Sequence, residues 1–307
     1  MTDQLILHHY DNSPYAEKIR LMLGLTNTHW QSMISPVQPP RPALDPLTGG
    51  YRRIPVAQIG ADIFCDTAII ASEVARITAC TDLDIATMDA DAQSLMTRAE
   101  KEVFFAAIGC IHPLRLLGTM MLLMGPVGTY RFAKDRAGLI KGGTVRQLPR
   151  AQAQHVLQSL LTDLEARLSQ RNWVNGDKPS IADFTIYHPL WLNVSCSRRP
   201  LKAGPQVSAW YQRVSDMGHG QREEITQAQV FTAAREAEPR TLPASIECNA
   251  ARTGDRVKVA PEDYGVVPVT GVLAAITNER FILARHDADL GTLHVHFPRA
   301  GYSLSPQ

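Results

Sequence analysis

The sequence is short of the features that mark charged, secreted, metal-bound or membrane-embedded proteins. Its 31 basic and 30 acidic residues leave a formal net charge of +1, which argues against nucleic acid as a dominant partner. Only five cysteines occur in 307 residues, at positions 65, 80, 110, 196 and 248. They are odd in number, scattered and without metal-type spacing, the pattern of reduced thiols in a cytosolic protein. No basic segment followed by an apolar run stands at the N-terminus, so no secretion signal is expected. The most apolar run, residues 114–127, contains Arg115 and is broken by Gly125-Pro126; it is too short to span a bilayer. These absences predict a cytoplasmic protein with neither a nucleic acid nor a membrane as partner.

What is present is a globular composition, 45% hydrophobic and 20% charged, in a chain long enough for two or three domains. Its central stretch runs from Tyr51 to Thr67. Two short strands meet at Gly60-Ala61-Asp62, a hairpin turn, and Asp66-Thr67 then opens a run of helical apolar spacing over residues 68–77. Such a stretch suits an extended peptide as ligand. With Pro55 in a turn, the neighbouring Ile54 can offer its own backbone N–H and C=O as a strand would. The helix start near Asp66 offers unpaired N–H groups to a carboxylate, and Asp66 can bind an ammonium. Taken alone, the stretch reads better as an ordinary hairpin followed by a capped helix.

The start of the chain shifts the balance. A strand, Leu5 to Tyr10, is followed by a turn at Asp11-Asn12-Ser13 and a helix opened by Ser13 at the N-cap and Pro14 at the first helical position. Strand, Ser13-Pro14-Tyr15 on a helix, Ile54-Pro55-Val56, then Asp66-Thr67 on a second helix: this order resembles the cytosolic glutathione transferases over residues 4–217. Ser13-Pro14-Tyr15 and Lys18-Ile19-Arg20 are most similar to the serine-type, tau-like classes, and no cysteine stands at position 13 as omega-like chemistry would require. A further stretch, Gly176-Asp177-Lys178-Pro179-Ser180-Ile181-Ala182-Asp183, resembles the family's capping box at the buried helix of its C-terminal domain. Its role is in folding, not chemistry.

The resemblance implies an α/β thioredoxin-like domain over residues 1–80 and an all-helical domain over 89–240. Helices are expected over 89–123 with a bend or an end at Pro113, over 129–139, over 150–170 and over 207–217. Beyond residue 245 the composition turns to Val, Ile and Thr with closely spaced turn residues, predicting a small, self-contained all-β module over 245–307. Its expected strands are 256–259, 266–276, 280–286 and 291–297. Standard members of the family lack such a module.

The resemblance also implies glutathione as co-substrate, an apolar electrophile as second substrate, and a homodimer. Ser13 is the residue expected to hold the thiolate. A hydroxyl donor at the positive end of a helix lowers a thiol pKa, though Tyr10 and Asn12 could also reach it, and Ser13 could simply cap. Ile54, Pro55, Asp66 and Thr67 are expected to bind glutathione, with Arg53, Arg52 and Arg41 as candidates for its glycine carboxylate. Each arginine reads equally as a solvated surface residue. Phe104, Phe105, Ile108 and His112 recur at helical spacing and could line the second pocket, although core packing accounts for each singly. His286, His294 and His296 are read as solvent-facing strand polarity, and no metal is expected. A non-enzymatic scaffold that binds partners through its β-module is the alternative reading.

Overall fold

The computed structural model describes residues 4–146, 148–248 and 250–307. It begins with β1 (Ile6–His9), α1 (Pro14–Leu25), β2 (His29–Ile34), a short α2 (Asp45–Thr48), β3 (Val56–Ile59), β4 (Asp62–Cys65) and α3 (Thr67–Thr78). β1 pairs parallel with β2 and antiparallel with β3, and β3 pairs antiparallel with β4. This is the thioredoxin-like arrangement. Gly60 turns the hairpin at φ 57°, a conformation glycine adopts without a Cβ clash.

Seven further α-helices follow among the described residues: α3 leads to α4 (Ala90–Arg98), α5 (Phe104–Gly109), α6 (Pro113–Ile140), α7 (Arg150–Leu168), α8 (Ile181–Ser197), α9 (Pro205–Ser215) and α10 (Gln227–Arg235). A single π-type turn, Ala99–Val103, joins α4 to α5. Pro113 ends the expected continuous helix rather than bending it, one of the two outcomes the sequence allows. It opens α6, where its missing N–H costs nothing, and the segments on either side diverge by 93°. The expected helix over 129–139 is the second half of α6, set off by Gly125 at φ 67° and ψ 179°. No single helix among the described residues is long and apolar enough to cross a membrane.

α8 is the buried helix, and its capping box closes as the sequence predicts. Asp183 accepts from the N–H groups of Val174 and Ser180 at 2.9 Å each and from Trp210 Nε1 at 2.8 Å. Burial pushes its carboxyl up despite those bonds. Leu7, Trp30 and Phe64 from one face of the sheet share a core with Leu160, Leu164, Phe184 and Trp210 of the helices.

The C-terminal strands are β6 (Arg256–Pro261), β7 (Val269–Ile276), β8 (Arg280–Asp287), β9 (Gly291–Pro298) and β10 (Tyr302–Pro306), preceded by β5 (Gln221–Glu224). β5 and β10 are unanticipated by the sequence reading, and residues 266–268 are loop, not strand. The main departure is that the module is not self-contained. β9 pairs parallel with β4, so ten strands form one sheet in the order β10-β6-β7-β8-β9-β4-β3-β1-β2-β5. The second face of that sheet buries Ile6, Val56 and Ile63 together with Leu273, Leu293, Val295 and Phe297. The fold is therefore a thioredoxin-like layer, an all-helical part and a β-rich C-terminal part built onto the same sheet.

A polar joint lies at the seam. His296 is 7% exposed, not solvent-facing. Its Nε2 is 2.8 Å from Asp62 Oδ1, and its ring stacks on Phe64 at 4.6 Å. Arg240 donates its backbone N–H to Asp62 Oδ2 at 2.9 Å and its Nη1 to Glu73 at 3.1 Å, while Arg280 reaches Glu73 at 3.0 Å. Burial alone would raise both carboxyls. Hydrogen bonds from His296 and Arg240 to Asp62, and from Arg76, Arg240 and Arg280 to Glu73, hold both below the ordinary range. Burial keeps His296 below the usual histidine value against the pull of Asp62.

Two predictions follow from the seam. A chain ending at Arg240 exposes the apolar face of β3 and β4 and is expected to be insoluble or to bind hydrophobic dye; a soluble, cooperatively melting product would show that the two parts fold independently. The second concerns acid. Groups with depressed folded pKa stabilise above their unfolded values and lose that contribution as pH falls. Stability should therefore decline first below ~6.5, where an unfolded histidine would charge, and more steeply below ~4, where free carboxyls protonate. Asp62→Asn should cost ~1–3 kcal/mol at neutral pH and flatten the acid limb of a melting-temperature profile. An unchanged acid limb would remove Asp62 from this role.

Candidate functional site

One row of the sheet assembles the site. Val56 stands opposite His8 on one side and Cys65 on the other. The turn after β1, the segment before β3 and the residue after β4 therefore emerge at the same end of neighbouring strands. Those positions carry Ser13, Ile54-Pro55 and Asp66.

Ser13 is 1% exposed and caps α1, its Oγ accepting from Ala16 N at 3.2 Å. No acceptor for the hydroxyl's own hydrogen lies within bonding distance among the described residues. The turn that presents it is held by buried Arg20, which donates Nη2 to Asp11 O at 2.8 Å and to Glu17 Oε2 at 2.6 Å. Tyr10 is engaged by Arg136 through a 3.4 Å contact at its hydroxyl, and Asn12 is exposed.

The Ile54-Pro55 peptide is cis. Among the described residues, neither the N–H nor the C=O of Ile54 has a hydrogen-bond partner. Asp66 adopts φ 81° and ψ 142° at the N-cap of α3, where Oδ1 accepts from Ala68 N at 3.0 Å. A non-glycine residue there costs ~1–3 kcal/mol and is the kind of local strain that collects at functional sites. Thr67, 8% exposed, is the first residue of the helix.

The charged groups around this end are already engaged. Asp66 Oδ2 accepts from Tyr302 at 2.9 Å and from Arg53 Nη1 at 3.4 Å, and Tyr302 in turn is 2.5 Å from Tyr51 Oη. Arg53 also donates to Asp263 and, at 2.6 Å, to the Tyr264 carbonyl, with its guanidinium 4.0 Å from the Tyr264 ring centre. Arg52 pairs with Asp135 of α6. Arg41, 1% exposed, clamps the proline-rich loop by donating to the carbonyls of Pro36, Val37 and Arg52 at 2.8–3.0 Å. It is a structural residue, not a surface one.

The expected second pocket divides. Phe104 is buried against Tyr15 at 4.5 Å, and Phe105 meets the Tyr264 ring edge-on at 5.8 Å. Ile108 is half-buried on the same helix. His112 lies apart from the two phenylalanines. It is exposed, caps α6 through Nδ1 to Leu114 N at 3.3 Å, and lines a separate cavity of about 1020 Å³ with Cys110, Arg115 and Arg150. A smaller cavity of about 510 Å³ lies beside Arg52, Asp135, Leu139 and Gly265. No group of three or more His, Cys, Asp or Glu side chains among the described residues is placed to hold a metal ion. Sequence reasoning missed Tyr264 and Tyr302, which no local motif announces.

The model of the glutathione S-transferase N-terminal domain matches residues 7–79, and that of the C-terminal domain matches 143–217. A solved GST-like protein from Pseudomonas syringae is 32% identical over 99% of this chain and 100% of its own, with a TM-score of 0.78. The chain belongs to the glutathione S-transferase family. Because the match to the Pseudomonas protein runs nearly end to end, this chain shares its β-rich C-terminal part with that relative. Rice GST1, solved in complex with glutathione, is similar at 14% identity over 76% of this chain and 95% of its own, with a TM-score of 0.49. The mango tau-class enzyme is similar at 14% over 75% and 96%, with a TM-score of 0.48. No curated protein matches the chain.

Proposed function

We propose that the protein is a glutathione transferase that binds glutathione across the end of β1, β3 and β4 and conjugates its thiolate to an apolar electrophile. The observation that carries this reading is the unpartnered backbone of Ile54 beside the α3 N-terminus. An extended peptide can pair with Ile54, place its γ-glutamyl carboxylate on the Thr67 end of α3, and its ammonium on Asp66. The thiol then falls at the N-terminus of α1. There the free hydrogen of the Ser13 hydroxyl donates to sulfur, and the helix dipole adds to the stabilisation of the anion. The thiol proton leaves to solvent, and the sulfur lone pair forms the new C–S bond while the electrophilic carbon gives up a bonding pair, either to a departing leaving group or, across an activated double bond, to the neighbouring atom, which solvent then protonates. Phe104 and Phe105 form the apolar side on which the electrophile would rest, with Arg52 and Arg53 near the glycine end.

Five unpaired cysteines support a reducing, cytoplasmic setting for this reading. A homodimer accords with the apolar, exposed residues Leu114, Leu117, Leu122, Val127 and Tyr130 of α6.

Two measurements test the assignment. Ser13→Ala removes one hydrogen bond to a charged group, worth ~1.5–3 kcal/mol, so the bound thiol pKa should rise by ~1–2 units. Conjugation at neutral pH should fall by about one to two orders of magnitude, while affinity for S-alkyl glutathione stays near wild type. A wild-type rate would move the donor to Tyr10 or Asn12. Asp66→Asn keeps the cap and tolerates the positive φ but removes the charge. Calorimetry should show glutathione weakened by ~1.5–3 kcal/mol; unchanged affinity in a folded variant would take Asp66 out of the site.

A further inference from the structure

The connection between β6 and β7 leaves the sheet ladder after Pro261 and rejoins it at Val269. In between, Asp263 and Tyr264 make contacts that the proposed ligand would need. The Asp263 carboxylate sits on the Arg53 guanidinium, where a ligand carboxylate would go. The Tyr264 carbonyl takes two further donations from Arg53, from Nε at 3.2 Å and from Nη2 at 2.6 Å. The Tyr264 ring lies between that guanidinium and Phe105. Burial keeps the hydroxyl of Tyr15, two residues from Ser13, well above its ordinary range, and the Tyr264 phenol adds to that shift.

We propose that residues 262–268 are an internal occupant of the ligand groove, and that a tripeptide thiol enters by displacing them. The identity of that ligand rests on the reading above. The occupying segment is held by few, separable contacts. Asp263 is 48% exposed, and an ion pair so exposed contributes little. Beyond Arg53, the segment's main-chain ties to the rest of the chain are Glu262 N to Gly301 O at 3.0 Å, Gly265 N to Leu139 O at 2.6 Å and Val145 N to Asp263 O at 3.2 Å. Val266 and Val267 stand out in solvent. Segments of this kind open at low cost while the sheet on either side stays intact. Apparent affinity for ligand is then the intrinsic affinity reduced by the fraction of molecules in the open state.

Gly143 gives a way to shift that fraction from outside the groove. A Cβ there would lie 1.8 Å from the Asp263 carbonyl oxygen, so Gly143→Ala should push the segment out while leaving every residue of the groove in place. Asp263→Ala, which releases Arg53 without a steric change, is the second variant. Glutathione binding by calorimetry and the rate of phenylglyoxal modification of Arg53, located by mass spectrometry, are read on the full chain. Both variants should bind glutathione at least about threefold tighter than wild type and expose Arg53 to faster modification. If Arg53 reacts at the wild-type rate in both, or if glutathione binds more weakly, the segment is a fixed wall of the groove and the proposal is overturned. If modification accelerates but no form binds glutathione, the displaceable segment stands and the glutathione assignment is what fails.

Discussion

The parallel pairing of β4 with β9 is the constraint on which the rest of the architecture depends. An open edge at β4 would leave a row of backbone donors and acceptors without partners. Here that row is taken by a strand more than two hundred residues later in the chain. The pairing aligns Phe64 with His296 and brings Asp62 against His296 and Arg240, so the apolar and polar halves of the seam require the same register. A one-residue slip would turn the whole inward face of β9 outward. At the opposite edge β5 covers β2.

What the sequence made legible is what local chemistry writes. Ser13 before Pro14, Asp66 before a helical run, and Ser180 with Asp183 are caps, each defined within four residues, and their types point to their positions whatever the rest of the chain does. The thioredoxin-like order followed from them. The break at Gly125-Pro126 was legible from the residue pair itself, whereas the true start of α6 was less accessible, because Pro113 is compatible both with a bend and with a first turn. β10 was missed, and the module was read as independent, because pairing partners are chosen by long-range packing that a strand's own composition does not encode.

The same limit applies to the site. Tyr302 reaches Asp66 across 236 positions, and Tyr264 reaches Arg53 across 211. Both stand beside turn glycines, Gly265 and Gly301, but neither belongs to a cap or motif that marks a site residue. Arg52 and Arg53 stand at this end of the molecule through their place before Ile54, yet their partners Asp135 and Asp263 belong to α6 and to the β6–β7 connection. Sequence adjacency located the cations, and only the fold supplies their counter-charges. His296 illustrates the opposite case. Its alternation with His294 suggested an outward face, but an outward face on a sheet that gains a neighbour becomes an interior.

The reach of Tyr302 also says something about curvature. β10 is five strands from β4 in the sheet order, a span of roughly 24 Å if neighbouring strands kept their usual spacing in a flat layer. Its first residue nevertheless bonds Asp66, the residue directly after β4. The five C-terminal strands must therefore roll back over the face they extend, with Tyr51, Phe297 and Tyr302 packed edge-on and tilted inside the roll at ring separations of 5.8 and 6.0 Å. The radius of that roll is set by side-chain volume at its centre. Trimming Phe297 or widening Tyr51 would thus alter how tightly a distant hydroxyl closes on the Asp66 carboxylate, making the packing of an apolar interior a mechanical adjustment on the charge at the mouth of the groove.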